Sequence, residues 1–577
     1  MSLSVTRTCA DGEELIAPPL IPVSAKKDSN EENARAYAKK ELKHEPPTFK
    51  FIAAANTREI HPVYIKEVKL PKAKQTHEVC YEPVTQCVFV SQMTSCVLVR
   101  IPIDQDGFLH DDQDAWQVGK VDATDGKKGI EGIHNISLSP KHPGCLWISL
   151  QYSNQLLLVD VTEGMRVKQI FQVPTVFNDP VTGLPTYVGG PHCIRESPLT
   201  GDIWVALKGA LKDAPCSKAS KIRSACCDPV QQEASMNELS KLHGCETPIP
   251  DGWAVWRVTP SMYDPQAGAA KGGTLYKCLK SPPMLDFDAH GKCYVPQDAS
   301  DTMLVIDSKL EATRDAANIG SSSMIDATSI STPGRCKAEA AGQQLKIPWP
   351  FSPRGDHATG PAVGTAPDGS IWMSQLGSYN ALVRIAPNHY DSDEDERVLY
   401  EFGGPPWCKK IRLIHLAFSP KEVAREPAVG QDGELDGADG SPAKHDEYNR
   451  IYALSSDLLD DEALNAVVIL RFDDTWTKCL ARRIIPLPTQ DCACHRIVFI
   501  DTAQGACEGE HSQLPGRELS SRSIVITELA SSKLLQIKVR NLHDMMPLEE
   551  LEYTDSNGFK VRKYRASEDG ALEGASV

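Results

Sequence analysis

A short, β-rich meander that recurs along this 577-residue chain is the feature that most constrains its fold. In the stretch GPAVGTAPDGSIWMSQLGSYNALVRI, which begins at Gly360, two apolar runs flank a Pro-Asp-Gly turn, and a second turn leads into a third run. Short β-rich runs bounded by Gly, Pro, Asn and Asp are typical of strands joined in hairpins. One such meander cannot bury both of its faces alone, so the fold depends on how many copies pack together.

The same pattern occurs in seven units. They begin at His77, His134, His192, Met284, Gly360, His415 and His495, and insertions split the last two. Seven small sheets arranged radially can pack on one another around an axis. The sequence therefore predicts an all-β fold, a seven-bladed β-propeller with long inter-strand insertions and flexible termini. A pair of β-sandwiches or a β-solenoid is the alternative, but irregular spacing and large insertions favour blades.

The unit boundaries also predict how the chain is organised. Residues 1–45 and 546–577 are polar and charged, which is typical of a flexible N-terminal segment and a C-terminal tail. The propeller is predicted over residues 46–545. Within it, the segment 46–70 is expected to supply a strand that completes the last blade and joins the two chain ends.

Two further expectations concern packing and loops. Trp147, Trp204 and Trp372 occupy equivalent second-strand positions, where we expect them to pack between blades. Loops as long as the insertions are usually functional or disordered, and these are predicted to form a lid or to bind a protein partner. The insertions fall near residues 209–250, 309–350, 387–410, 421–449 and 501–520.

Charge and composition exclude several classes of partner. The formal net charge of −16 argues against nucleic acid, because phosphate-backbone binding requires a basic surface. No stretch approaches the roughly 18 apolar residues of a membrane span, and the N-terminus lacks the apolar core of a secretory signal. We therefore expect no membrane partner and a cytoplasmic location, where the 18 cysteines are mostly thiols. Phosphate-binding glycine loops and the G-x-S-x-G elbow are also absent from the sequence.

Histidine opens five of the seven units, at His77, His134, His192, His415 and His495. In a propeller these first-strand positions surround one end of the central channel. Two interpretations are open: each imidazole donates a hydrogen bond to a carbonyl of the neighbouring strand, or several neutral imidazoles converge on a metal or a substrate. Repetition at five equivalent positions favours the second interpretation.

Three stretches resemble the repeat of the virginiamycin B lyase (streptogramin lyase) family. They are GGPHCI with GDIWVAL, GPAVGTAPDGSIWMSQLGSYNALVRI, and SIVITELASSKLLQI. The resemblance extends over about residues 60–540, and gluconolactonase-like and NHL-type propellers share parts of it. It implies a seven-bladed propeller that uses magnesium to open a cyclic depsipeptide by elimination at its ester.

The resemblance also implies roles for individual residues. His495 falls at the position of the general base, Glu528 at that of a metal-binding glutamate, and His415 at that of a catalytic, substrate-contacting histidine. Gln375 and Tyr379 are predicted to contact the substrate as well. A neutral histidine would remove the proton α to a carbonyl that a carboxylate-bound cation polarises.

The chain departs from this motif in its carboxylates. A second metal carboxylate is expected at Ala493, and the glutamates of other units are replaced by Leu207 and Gln375. A metal site formed by Glu528 with His77, His134 and His192 would be rich in imidazole. The predicted cofactor is therefore a divalent metal: magnesium by resemblance, or zinc, iron or copper from the histidine excess.

Several functions are compatible with these features. The leading hypothesis is a metal-assisted lyase that acts on an ester or lactone of a small or cyclic organic substrate. The alternatives are a non-catalytic propeller scaffold that binds a protein or peptide, and a lactonase, another hydrolase or a multi-histidine metal oxygenase on the same fold. A second, weaker metal motif lies in one insertion, with Cys216, Cys226, Cys227, His243 and Cys245. Its irregular spacing favours free thiols or a lid-stabilising disulfide over a zinc site.

Overall fold

The protein is described here from a computed structural model. The residues that the structure describes are 6–8, 14–16, 20–22, 63–73, 75–104, 107–118, 132–173, 176–178, 185–208, 252–259, 263–264, 269–270, 273–298, 300–308, 323–326, 342–348, 360–376, 381–386, 397–402, 411–419, 449–458, 463–489, 492–501, 522–539 and 545–566. Tyr379, the five cysteine and histidine positions of the second metal motif, and most of each predicted insertion lie outside these ranges.

Strands are the dominant secondary structure of the described residues, and Met93–Ser95 forms a 3₁₀ turn. Four of the sheets are successive meanders, here named A to D. Sheet A contains Thr76–Glu82, Cys87–Gln92, Val97–Pro102 and Asp114–Val118, with Leu20–Pro22 at its outer edge. Sheet B contains Ile133–Leu138, Cys145–Leu150, Gln155–Asp160 and Arg166–Gln172. Sheet C contains Pro191–Glu196, Ile203–Leu207, Ala254–Val258, Thr274–Lys277 and Ser323–Asp326. Sheet D contains Asp286–Phe287, Lys292–Pro296, Thr302–Asp307 and Gln343–Lys346.

Sheet E has ten strands and sheet F has four. The first half of sheet E contains Val363–Thr365, Ile371–Gln375, Ala381–Ile385 and Arg397–Phe402. Its second half contains Leu413–Phe418, Arg450–Ser455, Ala466–Phe472 and Cys479–Pro486, and the strands Met546–Thr554 and Lys560–Ala566 lie between the halves. Sheet F contains Cys494–Asp501, Arg522–Glu528, Lys533–Val539 and Val63–Lys69. Three two-stranded pairs complete the set: Thr6–Thr8 with Glu14–Ile16, Val176–Asn178 with Pro185–Tyr187, and Tyr263–Asp264 with Ala269–Ala270.

Hydrogen bonds to the first strand of the neighbouring sheet close these sheets into a ring. Ser137 of sheet B donates to the carbonyl of Ile194 in sheet C. Thr527 of sheet F donates to the carbonyl of His77 in sheet A, 450 residues earlier. Meanders that pack side by side around one axis form a β-propeller, so the repeat pattern correctly predicted the fold class.

The ring is closed by a strand from near the N-terminus. Val63–Lys69 pairs antiparallel with Lys533–Val539 along its whole length. Without it, the outer strand of sheet F would present unpaired backbone groups to solvent. The prediction that segment 46–70 completes the last sheet is confirmed.

The hydrophobic core consists of layers between neighbouring sheets. Trp147, Trp204 and Trp372 are almost completely buried, and each lies in such a layer. Their packing role, predicted from their equivalent second-strand positions, is confirmed. Because apolar residues face both neighbours, each sheet depends on the next for burial.

The two termini differ from the predicted flexible segments. Within the predicted C-terminal tail over 546–577, Met546–Thr554 and Lys560–Ala566 form a hairpin that links the outer strands of the two halves of sheet E. Tyr564 in this hairpin is fully buried, which anchors it to the core. Within residues 1–45, Leu20–Pro22 pairs with the outer strand of sheet A. In both places the added strands satisfy edge backbone groups that would otherwise be unpaired.

Two further findings concern helices and cysteines. Among the described residues, no helix has the length and apolar character needed to cross a membrane. The ten cysteines in the described ranges are all free thiols, and all are buried.

Candidate functional site

A β-bulge at the start of the first strand shapes the site in sheets A, B and F. At each bulge two consecutive residues lie opposite one residue of the second strand. The bulged pairs and their opposite residues are His77–Glu78 with Ser91, His134–Asn135 with Ser149, and His495–Arg496 with Thr527. A bulge interrupts the alternation of side chains between the two faces of a strand. It therefore changes the direction in which the side chain after each histidine points.

A hydroxyl group stabilises each of these bulges. The backbone N–H of the second bulged residue donates to it: Glu78 to Ser91 at 3.0 Å, Asn135 to Ser149 at 2.9 Å, and Arg496 to Thr527 at 3.0 Å. A bulged N–H has lost its partner in the ladder, and leaving it unpaired when buried would be costly. Serine or threonine opposite the bulge therefore supports this local geometry.

Three of the histidines are tethered to a backbone carbonyl that lies in, or just before, the neighbouring first strand. His134 Nδ1 lies 2.8 Å from the carbonyl oxygen of His192, and His192 Nδ1 lies 2.6 Å from that of Pro283. His495 Nδ1 lies 3.2 Å from the carbonyl oxygen of His77. Since a carbonyl only accepts, these contacts assign the proton to Nδ1 and leave the lone pair on Nε2. The first interpretation of the histidines, hydrogen bonding to the next strand, is confirmed at these three positions.

Four imidazoles form a contiguous row. The ring centroids of His495 and His77 are 3.9 Å apart, those of His77 and His134 are 4.0 Å apart, and those of His134 and His192 are 3.7 Å apart. Burial, followed by the influence of neighbouring histidines, lowers the pKa of His134 and of His495 well below the usual value. Burial, followed by Lys208, does the same for the pKa of His192. These three rings are therefore neutral at pH 7.

Glu78 lies beside this row as a buried carboxylate. Its Oε1 is 3.6 Å from His77 Nδ1 and 3.8 Å from His495 Nδ1. Its Oε2 pairs with Arg496 Nε at 2.9 Å and accepts a hydrogen bond from Asn135 Nδ2 at 3.1 Å. Burial alone would raise the pKa of Glu78, but Arg496, with the two histidines, holds that pKa well below its usual range. Glu78 is therefore ionised at neutral pH.

The Glu78 contacts belong to a network that crosses the channel. Arg195 Nη1 lies 3.5 Å from Asn135 Oδ1, and Asn135 in turn contacts Glu78. On the other side, Arg496 Nη1 lies 3.0 Å from Met284 Sδ. These five residues come from the first strands of sheets C, B, A and F and from the residues just before the first strand of sheet D. Side chains from opposite parts of the ring thus meet at the axis.

The remaining predicted site residues lie apart from the row. His415 is buried, neither of its ring nitrogens has a hydrogen-bond partner, and among the described residues no ring contact joins it to the other histidines. Burial, followed by Arg496, lowers the pKa of His415 well below the usual value, so it experiences the charge of the same network. Gln375 is buried and donates to the carbonyl of Pro348 at 3.3 Å.

Glu528, predicted to bind metal with the histidines, has different neighbours. Its carboxylate accepts a hydrogen bond from Ser531 at 2.6 Å, and its backbone is paired with Cys494. Burial raises the pKa of Glu528. Glu528 lies at the end of the second strand of sheet F, beyond the bulge, which directs its side chain toward the following turn.

A different group has the spacing of metal ligands. Within the described residues, His77, Glu78 and His495 are the only set of three or more potential ligand side chains whose ligand atoms all lie within 4.8 Å of one another. His77 Nδ1 is buried and has no hydrogen-bond partner, which fits a ligand atom. Two imidazoles with one carboxylate suit zinc, iron or copper. The set fits magnesium poorly, because magnesium prefers oxygen ligands and Arg496 already occupies one of the two carboxylate oxygens.

Sequence reasoning missed Glu78, Asn135, Arg195 and Arg496. A signal for three of them was present, because a polar residue follows the histidine in the units that begin at His77, His134 and His495. Strict alternation along a strand assigns that residue to the face opposite the histidine. Recognising the bulges would have required noticing the Ser or Thr opposite each pair.

No protein-family model and no curated protein sequence matches the chain. Among solved structures, virginiamycin B lyase from Staphylococcus aureus is 10% identical, with a TM-score of 0.42 over 83% of this chain and 100% of that chain. The β-propeller domain of Cps50 (Swd1) from Myceliophteria thermophila is 10% identical, with a TM-score of 0.41 over 83% and 100%. YCF48 bound to D1 peptide is 8% identical, with a TM-score of 0.38 over 84% and 98%. At these values none of the three indicates what this chain binds or does.

Proposed function

We propose that this protein is an enzyme in which a neutral histidine of the central channel acts as general base on an ester or lactone of a small organic substrate. The observation that carries the proposal is the tether on His495, which fixes the proton on Nδ1 and leaves Nε2 as the basic nitrogen. We also propose that each half of sheet E is one blade, which with sheets A, B, C, D and F makes seven. The sevenfold arrangement would bring the five unit-opening histidines to one end of the channel.

The surroundings of His495 support this role. The carbonyl of His77 that orients the imidazole also accepts a hydrogen bond from Thr527 Oγ1 at 2.8 Å, so the acceptor is itself held in place. When Nε2 takes a proton from substrate, the Glu78 carboxylate, 3.8 Å from Nδ1, would stabilise the resulting imidazolium. Proton removal α to the carbonyl, followed by departure of the ester or lactone oxygen, is an elimination, and activation of water by the same nitrogen gives hydrolysis.

The test is a screen of the purified protein against esters and lactones, with two variants run alongside. We expect His495→Gln to reduce kcat/KM by about 10²- to 10⁴-fold, the usual contribution of a general base. His142→Gln, in an exposed turn of sheet B, is the matched control and should leave the rate unchanged. Equal activity in His495→Gln and wild type, or no turnover of either class of substrate by wild type, would contradict the proposal. The latter result would favour a non-catalytic scaffold.

A second candidate is a metalloenzyme, favoured by the grouping of His77, Glu78 and His495. A divalent cation bound there would supply Lewis-acid polarisation of a substrate carbonyl. His495 cannot fill both roles through the same atoms, because a metal on its Nδ1 would replace the proton donated to the carbonyl of His77. The two candidates are therefore distinct.

Metal analysis separates these candidates. The protein is loaded with Zn²⁺, dialysed and analysed by mass spectrometry, together with His77→Gln and His134→Gln. The metalloenzyme candidate predicts one zinc per chain in wild type and in His134→Gln, and loss of zinc in His77→Gln. Wild type that retains no zinc, or equal retention in all three proteins, would contradict it.

A further inference from the structure

Two guanidinium groups face the centre of the ring, and they differ in how they are paired. Arg496 forms an ion pair with Glu78 at 2.9 Å. Arg195 makes contacts through Nη1 alone, to the carbonyl of Ile194 at 2.9 Å and to Asn135 Oδ1 at 3.5 Å. In the part of the chain that the structure describes, no carboxylate lies within 4.0 Å of Arg195, and its Nε and Nη2 have no hydrogen-bond partner.

The nearby carboxylates do not take the place of an ion-pair partner. Glu78 acts on Arg195 at longer range, but both of its oxygens face other groups. Asp286 also acts at longer range, and its Oδ2 accepts hydrogen bonds from the Thr365 backbone N–H at 3.0 Å and the Thr365 hydroxyl at 3.3 Å. The two positive guanidinium groups of Arg195 and Arg496 therefore have only one closely paired carboxylate, that of Glu78, and one more distant carboxylate.

The chemistry of a guanidinium indicates what would complete this arrangement. Its planar fork of N–H donors matches the two oxygens of a carboxylate and binds them side by side. N–H donors that a partly buried guanidinium leaves unpaired are unfavourable, and an anionic ligand would pair them. The neutral imidazoles next to the network add no competing positive charge.

We propose that Arg195 is the anchor of a binding site for the carboxylate group of a small organic acid, next to the histidine row. The site would admit the acid from the channel end that carries the row, with the carboxylate on the free edge of the guanidinium. That the bound acid is also the substrate rests on the proposed function, whereas its binding does not. For a substrate acid, the guanidinium would stabilise negative charge that develops on the carboxylate during proton abstraction.

The test is isothermal titration calorimetry with benzoate and succinate, and with benzamide as the uncharged match of benzoate. We expect saturable binding of at least one carboxylate by wild type and none of benzamide, with affinity falling as salt is added. Arg195→Gln should weaken that binding by about tenfold or more. Arg195→Lys keeps the charge but not the planar fork of donors, so its affinity should lie between those of Arg195→Gln and wild type. Arg100→Gln, an arginine paired with Asp114 on the partly exposed outer part of sheet A, is the matched control and should bind as wild type does.

Two further measurements make the result decisive. His495→Gln should bind benzoate or succinate as wild type does, so a failure of the catalytic proposal leaves the binding result intact. Thermal unfolding of Arg195→Gln without ligand should show a midpoint close to that of wild type, because Arg195 has no ion-pair partner within 4.0 Å and donates only two hydrogen bonds. Equal carboxylate affinity in Arg195→Gln, equal binding of benzamide, no binding of either acid by wild type, or a large loss of stability in Arg195→Gln would each overturn the proposal.

Discussion

The pairing of Glu78 with Arg496 offers the sharpest test of how the centre of the ring is stabilised. Glu78 is 3% exposed, and its Oε2 is 2.9 Å from Arg496 Nε and 3.1 Å from Asn135 Nδ2. Glu78→Gln retains the size of the side chain but removes its charge, which leaves the Arg496 guanidinium buried without an anion. Removing one partner of a buried ion pair typically costs about 3–5 kcal/mol, and we expect a loss of that size.

The assay is thermal and urea unfolding of wild type, Glu78→Gln, Arg496→Met and the double variant. Each single change leaves one buried charge unpaired, whereas the double change removes both charges. The double variant should therefore lose much less stability than the sum of the two single variants. Methionine at position 496 keeps an unbranched side chain next to Met284, so the change in packing is small.

The pH dependence provides an independent check. Because the pKa of Glu78 is lowered in the folded protein, its contribution to stability is fully present above the pKa of an unfolded glutamate, about 4.3, and is lost as the pH falls below that value. The advantage of wild type over Glu78→Gln should accordingly shrink with acidification below about pH 4. Three results would refute this account: a double variant whose stability loss equals the sum of the two single losses, an unchanged midpoint for Glu78→Gln, or a stability advantage of wild type over Glu78→Gln that does not depend on pH.

Two further predictions concern the histidine row and the C-terminal hairpin. The pKa of His134, His192 and His495 is lowered in the fold, so the unfolded chain binds more protons in mildly acidic solution, and the unfolding midpoint should rise with pH up to about 6.5 and then level off. A midpoint that is flat between pH 5 and 7 would contradict this. Tyr564→Phe removes the hydroxyl that accepts the Cys479 backbone N–H at 3.1 Å, and should cost about 1–3 kcal/mol in urea unfolding. The exposed Tyr553→Phe is its control, and an equal loss in both variants would contradict the assignment.

The sequence by itself determined the architecture. Short β-rich runs with turn residues between them can bury both faces only by packing on one another, so repetition was sufficient to predict a propeller and the equivalent positions of Trp147, Trp204 and Trp372. The same repetition aligned the unit-opening histidines and indicated that a strand within 46–70 would close the ring. These features follow from local periodicity, which a single chain displays directly.

Only the tertiary structure decided what faces the axis. The bulges place Glu78 and Arg496 beside the histidines, and a bulge depends on a hydroxyl in the paired strand, not on the local pattern. Glu528, one position past the residue opposite that bulge, is directed instead to Ser531. The C-terminal hairpin looked like a polar tail because its backbone pairing with sheet E, not an apolar pattern, holds most of it in place.

The contact between Arg496 and Met284 shows most clearly what the local sequence does not determine. These residues are 212 positions apart and lie on sheets that are not neighbours in the ring. Their meeting is fixed by the diameter of the closed ring, which depends on every sheet at once. Local sequence does not encode that diameter. The residues that form the network at the axis could therefore be identified only from the complete ring.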